Sequence, residues 1–197
     1  MLVLLAVKDV PVIRNGRLKM IAEDTVKCPI CGKKSMRIKI FLYDMPFFGK
    51  VVLESGKCSE CGFKWSDVGL LEATKPKRII VRVKRPKDLN ALVIKAAPAT
   101  IRIPELGVEI FPGPAAPGYI TTIEGVLQRV IDHAPSECLD KSNPCNERIK
   151  TIKKAMDGHV TFTMVVEDPS GRSAVRGEGT EVVEEDLKSV ESKKEKA

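Results

Sequence analysis

Apolar and polar residues alternate with a period of two through "MRIKIFL" (36–42) and again through "KVVLES" (50–55), which predicts the two strands of a hairpin. The same period returns in "RIIVRVKRP" (78–86) and in "ATIRIPELGVEI" (99–110), where it carries Ile101, Ile103 and Val108. In "HVTFTMVVE" (159–167) it places Val160, Phe162, Met164 and Val166 on one face. "DPSG" then suits a type I turn, with Asp168 first, Pro169 second and Gly171 fourth, and "RSAVRGEGT" is the expected returning strand. Between these strands the period changes. In "TTIEGVLQRVIDHA" the residues Ile123, Val126, Leu127, Val130 and Ile131 fall on one face of a helix, and Thr121 with Glu124 reads as its capping box. A second helix is expected from Pro144 to Asp157, with Asn143 as N-cap, Gly158 as stop and a stripe of Cys145, Ile149, Ile152 and Met156. "FPGPAAPGY" is a Pro/Gly loop.

The pattern describes a mainly β chain interrupted by a helical hairpin over about residues 121–157. Four segments are expected: a leader over 1–24, a cysteine-bearing ribbon over 25–75, a β-rich domain over 76–180 and a charged, Glu/Lys/Ser-rich tail over 181–197. "MLVLLAV" at the start breaks at Lys8-Asp9 with no basic residues before it and no small-residue cleavage site, so it reads as an edge strand or a disordered leader. Met20 is an alternative translation start. No apolar run approaches the roughly 18 residues that would span a membrane, so no membrane association is expected.

Chemistry enters with the cysteines. "CPICG" and "CSECG" each place two thiols two residues apart on a turn, followed by a glycine that permits positive φ. Together Cys28, Cys31, Cys58 and Cys61 supply the four soft ligands of one structural zinc ion, an iron–sulfur centre or a redox pair being the alternatives, with the 26 residues between the pairs leaving room for a long hairpin. All four positions are filled, so the zinc is structural and not catalytic. No secretory context accompanies these residues, and metal binding in a reducing cytoplasm is expected in preference to disulfides. Cys138 and Cys145 are too loosely spaced for a third knuckle and read as buried or incidental thiols.

"DMPFFGK" (44–50), at the tip of the hairpin, carries Phe47 and Phe48 in a ribbon too small to bury both. The rings either pack against the second domain, or anchor a partner, or divide these tasks between them. Charge is unevenly spread. Residues 1–87 hold 19 Lys/Arg and 8 Asp/Glu, a net of +11, and the rest hold 14 and 18, a net of −4. The basic half, and "KPKRIIVRVKRPK" within it, leaves open weak RNA binding as a nucleic-acid-binding zinc ribbon. An enzyme is not expected. "GPAAPG" has the glycine spacing of a phosphate loop but is followed by Tyr119-Ile120 where Lys and Ser/Thr are needed. The two histidines, His133 and His159, fall at element ends with no catalytic partner, and no small-molecule substrate is indicated.

The stretches "CPICG", "MPFFGKVVLESGKCSECG", "IPELGVEIFPG", "TTIEGVL" and "VVEDPSGRSAV", in that order, resemble the ZPR-type (ZPR-one) zinc-finger family over roughly residues 25–180. The resemblance implies a four-cysteine zinc ribbon followed by a β-sandwich-like domain with a helical hairpin. Eukaryotic members carry this unit twice, and this chain has it once, as shorter archaeal-type members do. The resemblance further implies binding, and help in folding, of translation elongation factor one-alpha, a GTPase. It gives Cys28, Cys31, Cys58 and Cys61 the zinc-ligand role. It assigns partner binding to Pro46, Phe47 and Phe48 and to the turn of Asp168, Pro169, Ser170, Gly171 and Ser173. Glu167 and Arg172 stand where the family turn usually carries Asp and Asn.

Overall fold

Cross-strand hydrogen bonding, more than side-chain pattern, decides where the first unit begins. The computed structural model describes residues 18–72, 75–113, 115–140 and 142–187, so "MLVLLAV" and the end of the tail lie outside the described residues. Strand β1 (Lys19–Lys27) pairs antiparallel with β2 (Lys34–Met45), which pairs with β3 (Gly49–Cys58), followed by β4 (Lys64–Leu70). The sheet order is β1-β2-β3-β4. Among the described residues the ribbon therefore starts at Lys19, inside the segment assigned above to a leader. "KMIAEDTVK" lacks the alternation of a half-buried strand because it lies at the sheet edge with most of its side chains exposed.

The second unit is built from β5 (Lys77–Val83), β6 (Leu92–Lys95), β7 (Thr100–Ile103), β8 (Val108–Ile110), β9 (Tyr119–Thr122), α1 (Ile123–Asp132), α2 (Cys145–Met156), β10 (Phe162–Asp168), β11 (Ala174–Arg176) and β12 (Glu181–Asp186). Five strands form one sheet in the order β12-β5-β10-β7-β8, and three form another in the order β11-β6-β9. Ile79, Val81, Ile101, Ile103, Met164 and Val166 of the larger sheet pack with Val93 and Val175 of the smaller one. Ile123, Val126 and Leu127 of α1 and Ile152 of α2 close the same core. Each of these side chains is nearly or wholly removed from water, worth roughly 1.5–3 kcal/mol apiece.

Four sequence expectations change here. "RSAVRGEGT" does not return along β10. Its β11 crosses to the other sheet and pairs with β6, because the turn at 168–173 carries the chain between layers. Glu181–Asp186 is an edge strand on β5 and not part of a tail; its carboxylates face the basic residues of that strand. The first helix is capped by Thr122, whose Oγ1 accepts from the Gly125 amide at 3.0 Å, in place of the Thr121–Glu124 box. Strand β9 runs directly into the helix, and the Ile123 amide donates to Ala91 O, which holds Thr122 extended. In α2 the inward stripe is Asn146, Ile149, Ile152 and Ala155; Asn143 Oδ1 accepts from the Cys145 amide at 3.0 Å.

Cys138 and Cys145 are not incidental thiols but a disulfide with Cα atoms 5.0 Å apart. A short helical turn at Ser136–Leu139 folds the chain back so that two cysteines seven positions apart meet at the start of α2. Alkylation of the denatured, metal-free chain should label four thiols without reductant and six after reduction, as read by intact mass. Six labels without reductant would contradict the bridge.

Candidate metal centre and the ribbon tip

The two cysteine knuckles repeat one backbone design. Cys28 N donates to Lys33 O and Gly32 N to Cys28 O; Cys58 N donates to Phe63 O and Gly62 N to Cys58 O. Gly32 and Gly62 take φ of 72° and 74°, a left-handed conformation that a side chain would strain. The result brings the four sulfurs within 4.8 Å of one another, with Cys28–Cys61 and Cys31–Cys58 both at 3.7 Å. Sulfurs about 2.3 Å from a tetrahedral zinc ion stand about 3.8 Å apart, so the cage fits the ion.

The protonation chemistry agrees. The Cys61 amide, and then the Ser35 hydroxyl, pull the Cys58 thiol down to about 6. Cys61 moves the other way, to about 11, because burial and hydrogen bonds shared with three other sulfurs outweigh the pull of the Phe63 amide. Four adjacent thiolates repel one another, and a divalent cation at their centre is what lets all four ionise. Cys28, Cys31, Cys58 and Cys61 are positioned to hold one zinc ion. Val26, Met36, Ile38, Phe63 and Trp65 pack around it.

The aromatic tip lies at the opposite end of the ribbon, about 30 Å away along β3 at about 3.3 Å per residue. There Phe48 N donates to Met45 O, closing a turn with Pro46 second and Phe47 third. Phe47 has φ 69°, the one positive value outside glycine among the described residues, at a position that type II turns reserve for Gly or Asn. The two rings part. Phe48 packs with Met45, Leu53 and Leu70 around Val51 and Val68 of the ribbon and Ile94 of β6, joining the two units. Phe47 is 84% exposed and Pro46 is exposed.

The 168–173 turn reaches the same end of the ribbon. Its Arg172 donates to Glu54 at 2.9 Å and to Asp67 at 3.4 Å, and its carbonyl accepts from Leu70 N. A Cβ on Gly69 would sit 2.6 Å from Arg172 Cβ, so only glycine permits this approach. Asp168 and Ser173 are fully buried and serve the turn itself: Asp168 accepts from the Ser170 amide and hydroxyl and from the Ser173 amide. Burial opposes the Asp168 charge, but these donors outweigh it and hold the carboxyl below its usual range. Gly171 is buried, Ser170 half-buried, and Pro169 exposed. Sequence reasoning missed Arg172 and Gly69; the departure at 172 was their one visible signal.

The basic run "KPKRIIVRVKRPK" looks different in three dimensions. Lys77 pairs with Glu184, Arg78 with Glu167 and Glu185, Arg82 and Lys84 with Glu181, and Arg85 with Asp88. Its charge is largely met by carboxylates within the fold, although the side chains of Arg78, Arg82, Lys84 and Arg85 stay partly exposed. Among the described residues no helix is long and apolar enough to cross a membrane.

Cys31→Ser should reduce bound zinc from one ion per chain to well under half, measured by elemental analysis of the dialysed protein. A full equivalent in the variant would contradict the ligand set.

Residues 21–75 match the ZPR1 zinc-finger domain and residues 87–197 the ZPR1 jelly-roll domain. The chain is 40% identical over 163 residues to an uncharacterized ZPR1-like protein of Methanocaldococcus jannaschii, covering 78% of this chain and 81% of that one. It is 35% identical over 155 residues to the zinc finger chaperone zpr1 of Schizosaccharomyces pombe, covering 74% of this chain but 33% of that protein. The human zinc finger protein ZPR1 is 30% identical over 148 residues, covering 70% of this chain and 32% of its own length. With both of its structural units matched in order, the chain belongs to the ZPR1 family, as a single zinc ribbon joined to a single jelly roll.

Proposed function

We propose that this chain is a zinc-stabilised chaperone of the cytoplasm that binds, and assists the folding of, a translation elongation factor GTPase of the one-alpha type. One observation carries the reading: a phenylalanine ring is held 84% exposed on a backbone conformation that disfavours it. Strain of this kind costs about 1–3 kcal/mol and persists where the surroundings impose it, commonly at sites that bind. Phe48 anchors the turn from below, and Pro46 limits its freedom, so the Phe47 ring meets a partner already ordered. An aromatic presented in this way loses little entropy on binding and suits the centre of a protein interface. The exposed Pro169 offers a second contact near the base of the tip, while Asp168, Ser170, Gly171 and Ser173 hold the turn that positions it. The name of the fission-yeast relative, a zinc finger chaperone, agrees with this reading.

Titration of purified elongation factor with the zinc-loaded chain tests it. Phe47→Gly should weaken binding at least tenfold while holding or slightly raising the thermal midpoint, because glycine relieves the positive φ. Phe48→Ala should lower the midpoint by about 5–10 °C, from about 2–3 kcal/mol of lost packing. Undiminished binding by Phe47→Gly, or no binding by the unaltered chain, would overturn the proposal.

A further inference from the structure

We infer that the ribbon carries a binding site for the phosphodiester backbone of a single-stranded nucleic acid, on the sheet face that bears Arg37, Lys39, Lys57 and Lys64. These four side chains line a cleft of about 700 Å³, walled on the other side by Ala115 and Pro117 of the Pro/Gly loop. Pairing in the sheet sets Arg37 opposite Lys57 and Lys57 opposite Lys64, so three cations stand in one row across β2, β3 and β4. Lys39 follows two residues along β2 on the same face. Like charges placed directly opposite one another repel, and only the Arg37 end of the row meets a carboxylate. Arg37 has one exposed carboxylate, Glu23, at 3.4 Å. Glu23 also stands opposite Lys39 in the sheet, but among the described residues Lys39, Lys57 and Lys64 form no ion pair, and no carboxylate is among the residues lining the cleft. The contrast with β5 is direct: there the bases are neutralised by β12, and here they are left for something outside the chain.

The shape of the site selects its occupant. The floor is the middle of a sheet, where the amides and carbonyls of β2 and β3 are bonded to neighbours on both sides, so an extended peptide finds no free edge to pair with. Beside β4 the edge is met by the loop, whose Gly118 amide donates to Ser66 O and seats the wall. What remains is a set of point charges about 4.8 Å apart across strands and about 6.7 Å apart along β2. A chain with one negative charge in every unit matches such a set whatever its sequence, and lysine serves phosphate well as a point charge. Three strands give a trough about 10 Å wide, enough for one backbone. The smooth apolar surface of Ala115 and Pro117 can lie against sugar or base without reading it.

Fluorescence anisotropy with a labelled single-stranded RNA about 12 nucleotides long, on the zinc-loaded full chain, tests the site. With three or four phosphates contacted, affinity should fall about 20–50-fold between 50 and 200 mM salt. The double variant Lys57→Glu/Lys64→Glu should lose at least tenfold in affinity at 50 mM salt with zinc content unchanged. Lys153→Glu/Lys154→Glu, on exposed turns of α2, should bind as the unaltered chain does. If charge reversal costs the zinc, Lys57→Gln/Lys64→Gln replaces it, with an expected loss of at least threefold. DNA of the same sequence should bind within about fivefold of RNA, since the backbone is what is held. No RNA binding at 50 mM salt, undiminished binding by the double variant, failure to bind DNA, or tighter capture of polyglutamate than of RNA would each overturn the proposal.

Discussion

Four thiol sulfurs confined within 4.8 Å cannot all shed their protons unless a cation sits among them, and the rest of the ribbon depends on that constraint. Around the cage, among the described residues, only Cys28, Met36 and Cys58 are buried, with a thin shell of partly buried neighbours. Apolar burial of that size does not offset the entropy of ordering a sheet end. The knuckles compensate by geometry. Each closes on itself through paired backbone bonds, and each turns at a glycine whose φ admits the cage.

The opposite end of the ribbon is held by different physics. There the jelly roll supplies Ile94 beneath Val51 and Val68, and Phe48 covers the junction. Arg172 bridges the two units, with its guanidinium on Glu54 and Asp67 in surroundings less than one-fifth exposed. Charge pairs this deep contribute mainly by fixing one orientation, since their desolvation takes back much of the Coulomb gain. A long, thin sheet clamped at one end by an ion and at the other by a packed seam presents its tip and its faces as rigid surfaces. The tip is apolar and the face beside the Pro/Gly loop is cationic, so the two proposed contacts sit on separate parts of one stiff element and need not compete.

Much of this was legible in the sequence. The hairpin from Met36 to Ser55, the cysteine cage, the strand at 162–166 and the helix face at Ile123, Val126 and Leu127 follow from periodicity and spacing, because burial on one side imposes both. The strands that escaped, β1 and β12, are edge strands with polar side chains, defined by hydrogen bonds that leave no periodic trace. The destination of β11 was invisible for a related reason: a short strand after a turn can pair with either layer, and only the buried Asp168 scaffold sends it across. The pairing of Cys138 with Cys145 depends on a fold-back that spacing alone does not specify. Charge was the least legible quantity. The run at 75–87 read as a basic surface, and Lys77, Arg78, Arg82 and Lys84 within it are paired with carboxylates about a hundred positions away, whereas the row of Arg37, Lys57 and Lys64 becomes apparent only when three strands are set side by side.

Hydrogen–deuterium exchange on the chain with zinc bound and after its removal measures the structural role of the ion most directly. Amides near the cage, in 26–40 and 55–66, should lose protection on zinc removal, while those of β5 and β10, inside a core of their own, keep theirs. Unchanged protection around the cysteines would mean that the ion does not hold the ribbon, and the account would fall.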